Sequence, residues 1–187
     1  MRVIAGVAKG RKLRTLKGLA MRPTLARVKE ALFDIIVDRV NGSRFLDLYA
    51  GAGGVGIEAL SRGAEKVVFV ENHRPAVETI RGNLAACGFS SGFRVIRSDV
   101  LRFLNGAGRR SDEFDIVFMD PPYDSDLMEK TMLKLGALNI IERDSLVIGE
   151  HSSSRKLEHS YGRLVKDDLR RFGSATLSFY DFHGKAL

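Results

Sequence analysis

The sequence predicts an α/β protein: a mostly parallel seven-stranded sheet with helices on both faces and a C-terminal antiparallel hairpin, preceded by a small N-terminal β-hairpin extension. Three observations carry this. Short apolar runs alternate with helical patterns from residue 44 to about 150, the signature of repeated β-α units. That alternation stops near residue 163, where two strand-like segments follow each other with only Gly173-Ser174 between them. Residues 1–30 hold nine basic side chains against one acid, a net +8, which leaves −1 for residues 31–187 and marks the N-terminal stretch as different in kind.

Taken in order, Arg2-Val3-Ile4-Ala5-Gly6 and Arg11-Lys12-Leu13-Arg14-Thr15-Leu16 read as two short strands about a turn near Lys9-Gly10. Arg22-Pro23-Thr24 punctuates the chain. Thr24 can cap the helix that follows, whose Val28, Ala31, Leu32, Ile35 and Ile36 recur at helical spacing before Asn41-Gly42 turns the chain. We place a domain boundary here, with residues 1–22 as the basic extension and 23–187 as the main domain. Strands are expected at 44–49, 66–71, 93–97, 114–119, 145–150, 163–172 and 175–183. Helices fall near 55–62, 74–87, 100–105 and 126–135, the second opened by His73-Arg74-Pro75 and stopped by Gly88. Residues 106–111 and 152–156 read as loops.

Composition narrows the classes. Hydrophobic content of 44% and charged content of 28% are those of an ordinary globular chain. A single cysteine, Cys87, excludes an internal disulfide and a cysteine-based zinc site, and suits a reducing cytoplasm. His73, His151, His159 and His183 have no metal-ligand spacing, so no metal is expected. No apolar run approaches the roughly 20 residues of a membrane span, and no signal peptide is expected. The basic N-terminal block suits a phosphate-backbone partner, and equally a solvated tail.

The chemistry is concentrated at strand ends. Gly51, Gly53 and Gly56 fit G-x-G-x-x-G between a strand and a helix, and Glu71 follows twenty residues after Gly51, placed to accept hydrogen bonds from a ribose diol. Asp47, Glu71, Asp99 and Asp120 all lie at or near the ends of the first four strands, where such sheets collect ligands. Turn chemistry alone favours Asp there, yet four on one rim suit a cationic cofactor with hydroxyl and amine groups. No Lys follows the glycines as a P-loop requires. Asp120-Pro121-Pro122-Tyr123 is the most specific signal. Two prolines stiffen the loop, so the Asp120 carboxylate and Pro121 carbonyl become fixed acceptors for an exocyclic amine, with Tyr123 as a stacking ring. A plain strand-ending turn is the alternative.

Asp47 to Gly56, Glu71, Asp99 and Asp120-Pro-Pro-Tyr123 together resemble the ordered motifs of Rossmann-like S-adenosylmethionine-dependent amino-methyltransferases. Arg2-Val3-Ile4-Ala5-Gly6, Lys9-Gly10-Arg11-Lys12-Leu13 and Arg22-Pro23-Thr24 through Phe33 more narrowly resemble the bacterial 16S ribosomal RNA guanine-N2 methyltransferase family called RsmD. The resemblance covers nearly the whole chain and implies S-adenosyl-L-methionine as cofactor. Asp47, Gly51 and Gly53 would line its methionine end, Glu71 would hold the ribose and Asp99 the adenine amine. Tyr49, Ala50, Gly56, Asn72 and Val100 complete the expected cofactor set. Asp120, Pro121, Pro122 and Tyr123 would hold the target guanine, and Arg2, Lys9, Arg11, Lys12, Arg14, Arg22 and Arg27 the RNA. The implied partner is 16S ribosomal RNA in the small ribosomal subunit, met by a monomer in the cytoplasm. The rival readings are a DNA adenine-N6 methyltransferase, against which no long extra DNA-reading segment is found, and a non-catalytic RNA-binding assembly factor. A nicotinamide dehydrogenase would share the glycines and Glu71 but has no use for Asp-Pro-Pro-Tyr.

Overall fold

A computed structural model describes residues 1–16, 23–107, 113–123 and 125–183. In chain order the elements are α1 (Pro23–Ile35), α2 (Val37–Val40), β1 (Arg44–Leu48), α3 (Gly54–Ser61), β2 (Lys66–Glu71), α4 (Arg74–Ala86) and β3 (Phe93–Arg97). They continue with α5 (Val100–Ala107), β4 (Phe114–Met119), α6 (Leu127–Ala137), β5 (Ile141–Ser152), β6 (Ser160–Tyr161), β7 (Leu164–Phe172) and β8 (Ala175–Phe182). The strands form one sheet in the order β3-β2-β1-β4-β5-β8-β7-β6. β1 to β5 run parallel, and β8 pairs antiparallel with β5 and β7. Among the described residues the sheet therefore has eight strands rather than the expected seven; the extra one is the two-residue β6, too short to leave a pattern in sequence.

The terminal hairpin folds back, so that β8 rather than β7 lies next to β5. The reason is burial. Nearly all of β8 is enclosed, whereas β7 carries the exposed Asp167, Arg170 and Arg171 and belongs nearer the sheet edge. Alternation along the strands splits the core into two layers. Phe33, Phe45, Ile57, Phe69 and Ile148 fill one face, beneath α1, α3 and α4. Leu46, Leu48, Val70, Phe103, Met119 and Met132 fill the other, beneath α5 and α6. Among the described residues no helix is long and apolar enough to cross a membrane.

The N-terminal segment differs from the expected pair of strands. Residues 1–13 do turn back on themselves antiparallel, but through a single bridge between Arg2 and Lys12. The backbone groups that would extend a ladder are spent on α3 instead. The N–H groups of Ile4 and Ala5 donate to the Glu58 carboxylate at 2.8 and 2.9 Å, and that of Ala8 donates to Ser61 Oγ at 2.9 Å. Val3, Ala8 and Leu13 turn inward and are buried. Gly6 sits where the two backbones meet: its φ is +78°, and a Cβ there would lie 1.7 Å from the Ser61 carbonyl oxygen. The Thr24 cap falls among side chains outside the described set.

Candidate active site

β1 ends at Leu48 and the chain enters a tight turn before α3, with Tyr49 and Gly51 at positive φ (59° and 55°). A Cβ on Gly51 would meet nothing within 4 Å, so its backbone is open to a ligand. Gly56 has a different reason to lack a side chain. A Cβ there would lie 2.3 Å from the Phe69 ring and 3.0 Å from Asp47 Oδ2, so the glycine lets α3 close onto the sheet. That approach brings the Gly56 N–H 2.9 Å from Asp47 Oδ2, to which it donates.

The turn is braced from the neighbouring strand. Glu71, at the end of β2, accepts the Gly51 N–H at 2.9 Å with Oε2 and the His73 N–H at 2.8 Å with Oε1. Each carboxylate oxygen keeps capacity for a further donor. Asp99 follows β3, lies exposed, and accepts the Arg102 N–H at 2.9 Å with Oδ1, capping α5 with one oxygen while the other stays available. Tyr49 hydrogen-bonds Thr131 Oγ1 at 2.7 Å. Asn72 is exposed, while Ala50 and Val100 are buried behind the rim.

Asp120, Pro121, Pro122 and Tyr123 leave β4 beside this turn, since β1 pairs directly with β4. Between those two strands the connections diverge to opposite halves of the sheet, the switch point at which ligands bind. Met119 is in register with Gly149 of β5, so Asp120 and Glu150 emerge side by side. Glu150 carries no sequence expectation, although it stands near the end of the fifth strand as acids stand at or near the ends of the first four. It is 5% exposed, and the Tyr123 hydroxyl donates to its Oε1 at 3.4 Å.

Burial and mutual repulsion shift these carboxyls together. Burial pushes Asp47 up to about 7, against the pull of the Gly56 hydrogen bond and with added repulsion from Glu71. Asp120, only half-buried as a whole residue, is raised well above the usual carboxylate range by desolvation of its carboxyl, then by Glu150 and Asp47. Burial likewise raises Glu150 to about 7. A rim of mutually repelling, partly dehydrated acids fits a cation with hydroxyl and amine donors, and would reject a phosphate.

Of the expected RNA set, Arg2, Lys9, Arg11, Lys12, Arg14 and Arg27 are all exposed, and Arg22 lies outside the described residues. Lys29, counted in the basic excess, is buried and paired with Glu58, so its charge is not available at the surface. Two further residues had no sequence signal. Asn83 on α4 accepts from the Arg14 N–H and donates to the carbonyls of Arg14 and Ala52, joining the N-terminal segment to the glycine turn. Arg155, in the loop expected over 152–156, binds the Asp-Pro-Pro-Tyr loop and Ser125 just beyond it.

The family described as Conserved hypothetical protein 95 matches residues 1–181. A Bacillus subtilis protein named "Putative rRNA methyltransferase YlbH" is 36% identical over 184 residues, 98% of this chain and 100% of the relative. The "Ribosomal RNA small subunit methyltransferase D" of Haemophilus influenzae is 37% identical over 158 residues, 84% of this chain and 81% of the relative. Among solved structures, "Putative methyltransferase yhhF" of Escherichia coli is 30% identical with a TM-score of 0.88, covering 99% of each chain.

Proposed function

The chain belongs to the RsmD family, matched by the model described as Conserved hypothetical protein 95, and on that premise we propose that it methylates the exocyclic N2 amine of a guanine in 16S ribosomal RNA. Its fold is the Rossmann-like methyltransferase fold and its cofactor is S-adenosyl-L-methionine. The observation that carries the proposal is the stiff loop from Asp120 to Tyr123, fixed at the switch point one strand from the glycine turn and Asp47.

When bound, S-adenosylmethionine supplies a methyl group on a sulfonium: its C–S bond breaks as a C–N bond forms, and the sulfonium leaves as a neutral thioether. The chain supplies placement. Glu71 accepts from the ribose hydroxyls and Asp99 from the adenine amine, while Asp47, Gly51 and Gly53 receive the methionine end. Asp120 and the Pro121 carbonyl accept the two amine hydrogens, and the Tyr123 ring stacks on the base. The guanine amine is a weak nucleophile because its lone pair is delocalised, so alignment accounts for most of the acceleration. Positive charge building on nitrogen is met by the ionised Asp120 carboxylate, which then takes the proton that the amine sheds. The base must leave its stack to reach this rim.

Residues 1–22 act in this reading as the RNA-facing extension of a methyltransferase domain spanning 23–187. The segment's outward Lys9, Arg11, Lys12 and Arg14 track the phosphate backbone, and its inward Val3, Ala8 and Leu13 hold it on the domain. The chain works as a monomer, in the cytoplasm, on the small ribosomal subunit or its RNA. Methylation with labelled S-adenosylmethionine, offering naked 16S rRNA, small subunits and duplex DNA side by side, tests this. Label should enter one or both RNA substrates and not DNA; label in DNA alone would favour the adenine-N6 rival.

A further inference from the structure

The backbone just after the Asp-Pro-Pro-Tyr loop is gripped by a side chain from far along the sequence. Arg155 Nη1 donates to the Tyr123 carbonyl at 3.1 Å, and its Nη2 donates to the Ser125 carbonyl. Nε and Nη2 donate to the two carboxylate oxygens of Glu129, on α6, at 3.0 and 2.9 Å. The guanidinium is thus fixed by a bidentate acid and presents its remaining donors to two backbone carbonyls just after the double proline. Its side chain is 21% exposed, which shields these bonds from competing water. A planar fork can meet this geometry, whereas an ammonium with one nitrogen cannot reach both carbonyls and the acid at once.

We infer that Arg155 is a positioning residue for the methyl transfer, locking the backbone after Pro122 so that the Tyr123 ring and the Asp120 carboxyl stand ready before the base arrives. This rests on the methyltransferase reading. The prolines restrict the loop from its start, and nothing in their stereochemistry fixes the backbone beyond Tyr123; Arg155 supplies that second anchor. Glu129 acts through Arg155, and a turn at the end of β5 thereby becomes part of the active-site architecture.

Arg155→Lys and Glu129→Gln keep the bulk of each side chain and test the lock. Two measurements are made at a temperature where all variants are folded. The first is hydrogen exchange at the Ser125 amide, which bonds the Pro122 carbonyl at 3.2 Å in the held loop. The second is steady-state methylation with the wild-type substrate. Arg155→Lys should speed Ser125 exchange and lower kcat about 10- to 100-fold, as small misplacements near a reacting group do, with cofactor affinity unchanged. Glu129→Gln should shift both in the same direction by less. Adding Arg155→Lys to Tyr123→Ala should cost less than it does alone, because the ring it positions is gone. Unchanged Ser125 exchange with unchanged kcat would overturn the inference, as would full additivity in the double variant. If the wild type methylates no nucleic acid, the functional reading fails, and Ser125 exchange still decides whether Arg155 holds the loop.

Discussion

The Lys29 ammonium lies 2.9 Å from Oε2 of Glu58, and the two side chains are 5% and 0% exposed. Glu58 sits on α3, immediately after the glycine turn, and also accepts from Ile4, Ala5 and Arg62. Burial alone would raise its pKa, but Lys29 and the amide bonds hold it below the ordinary value. One buried carboxylate thus fastens α1, the N-terminal segment and the cofactor-side helix together.

Removing that charge leaves Lys29 buried and unpaired. Glu58→Gln should therefore cost about 3–5 kcal/mol in urea unfolding, while an apolar replacement of both partners should recover part of it. A loss within that of an ordinary surface substitution would show that the pair is not a structural anchor.

The strand-end acids give stability a pH dependence with a definite sign. Asp47 and Glu150 titrate near 7 when folded, against ordinary values of 3.8 and 4.5. Between about pH 4 and 7 the folded state holds more protons, so stability falls as pH rises, by at most about 1.4 kcal/mol per pH unit for each group. Glu58 has the opposite sign: its depressed pKa contributes stability that is lost as pH falls below its ordinary 4.5. Urea midpoints should thus be higher at pH 5 than at pH 7.5, and Asp47→Asn should flatten the difference. S-adenosylmethionine, being cationic, should release protons on binding near pH 7, which calorimetry in two buffers of different ionisation enthalpy reads directly. An Asp47→Asn variant whose midpoint changes with pH just as the wild type's does would contradict the shared, dehydrated rim.

The exposed bases of the N-terminal segment should carry the electrostatic part of RNA affinity. Neutralising Lys9, Arg11, Lys12 and Arg14 should weaken RNA binding, and each lost phosphate contact should flatten the log–log salt slope by roughly 0.7–0.9. Cofactor affinity should be unchanged. If the segment only covers the domain, melting temperature falls instead and the slope stays as in wild type. A salt series with both proteins, beside melting curves, separates these outcomes.

Sequence reading was most successful where the physics is local. The β-α alternation, the glycine spacing and the acids at Asp47, Glu71, Asp99 and Asp120 depend on neighbours within a turn or two, and the structure has these acids at or near the carboxyl ends of four adjacent parallel strands. What escaped depends on distant partners. Arg155 meets Tyr123 across 32 residues, and Asn83 meets Arg14 across 69. Neither pairing leaves a periodic trace. Lys29 looked like one more surface charge because its partner Glu58 lies 29 positions away inside another helix. Glu150 was legible in principle, since the strand-end pattern that marks the other acids continues to β5. The position of β8 beside β5 could also have been read, from an apolar β8 against a charged β7.

If Asp120 holds a guanine amine for methyl transfer, the identity of the methylated nucleoside reveals it. Small-subunit RNA should be treated with the wild type and with Asp120→Ala, digested to nucleosides and resolved by mass spectrometry. The wild type should yield N2-methylguanosine and Asp120→Ala none above background, with S-adenosylmethionine still raising the variant's melting temperature. Methyl groups on any other base, or N2-methylguanosine formed by Asp120→Ala at the wild-type rate, would contradict it.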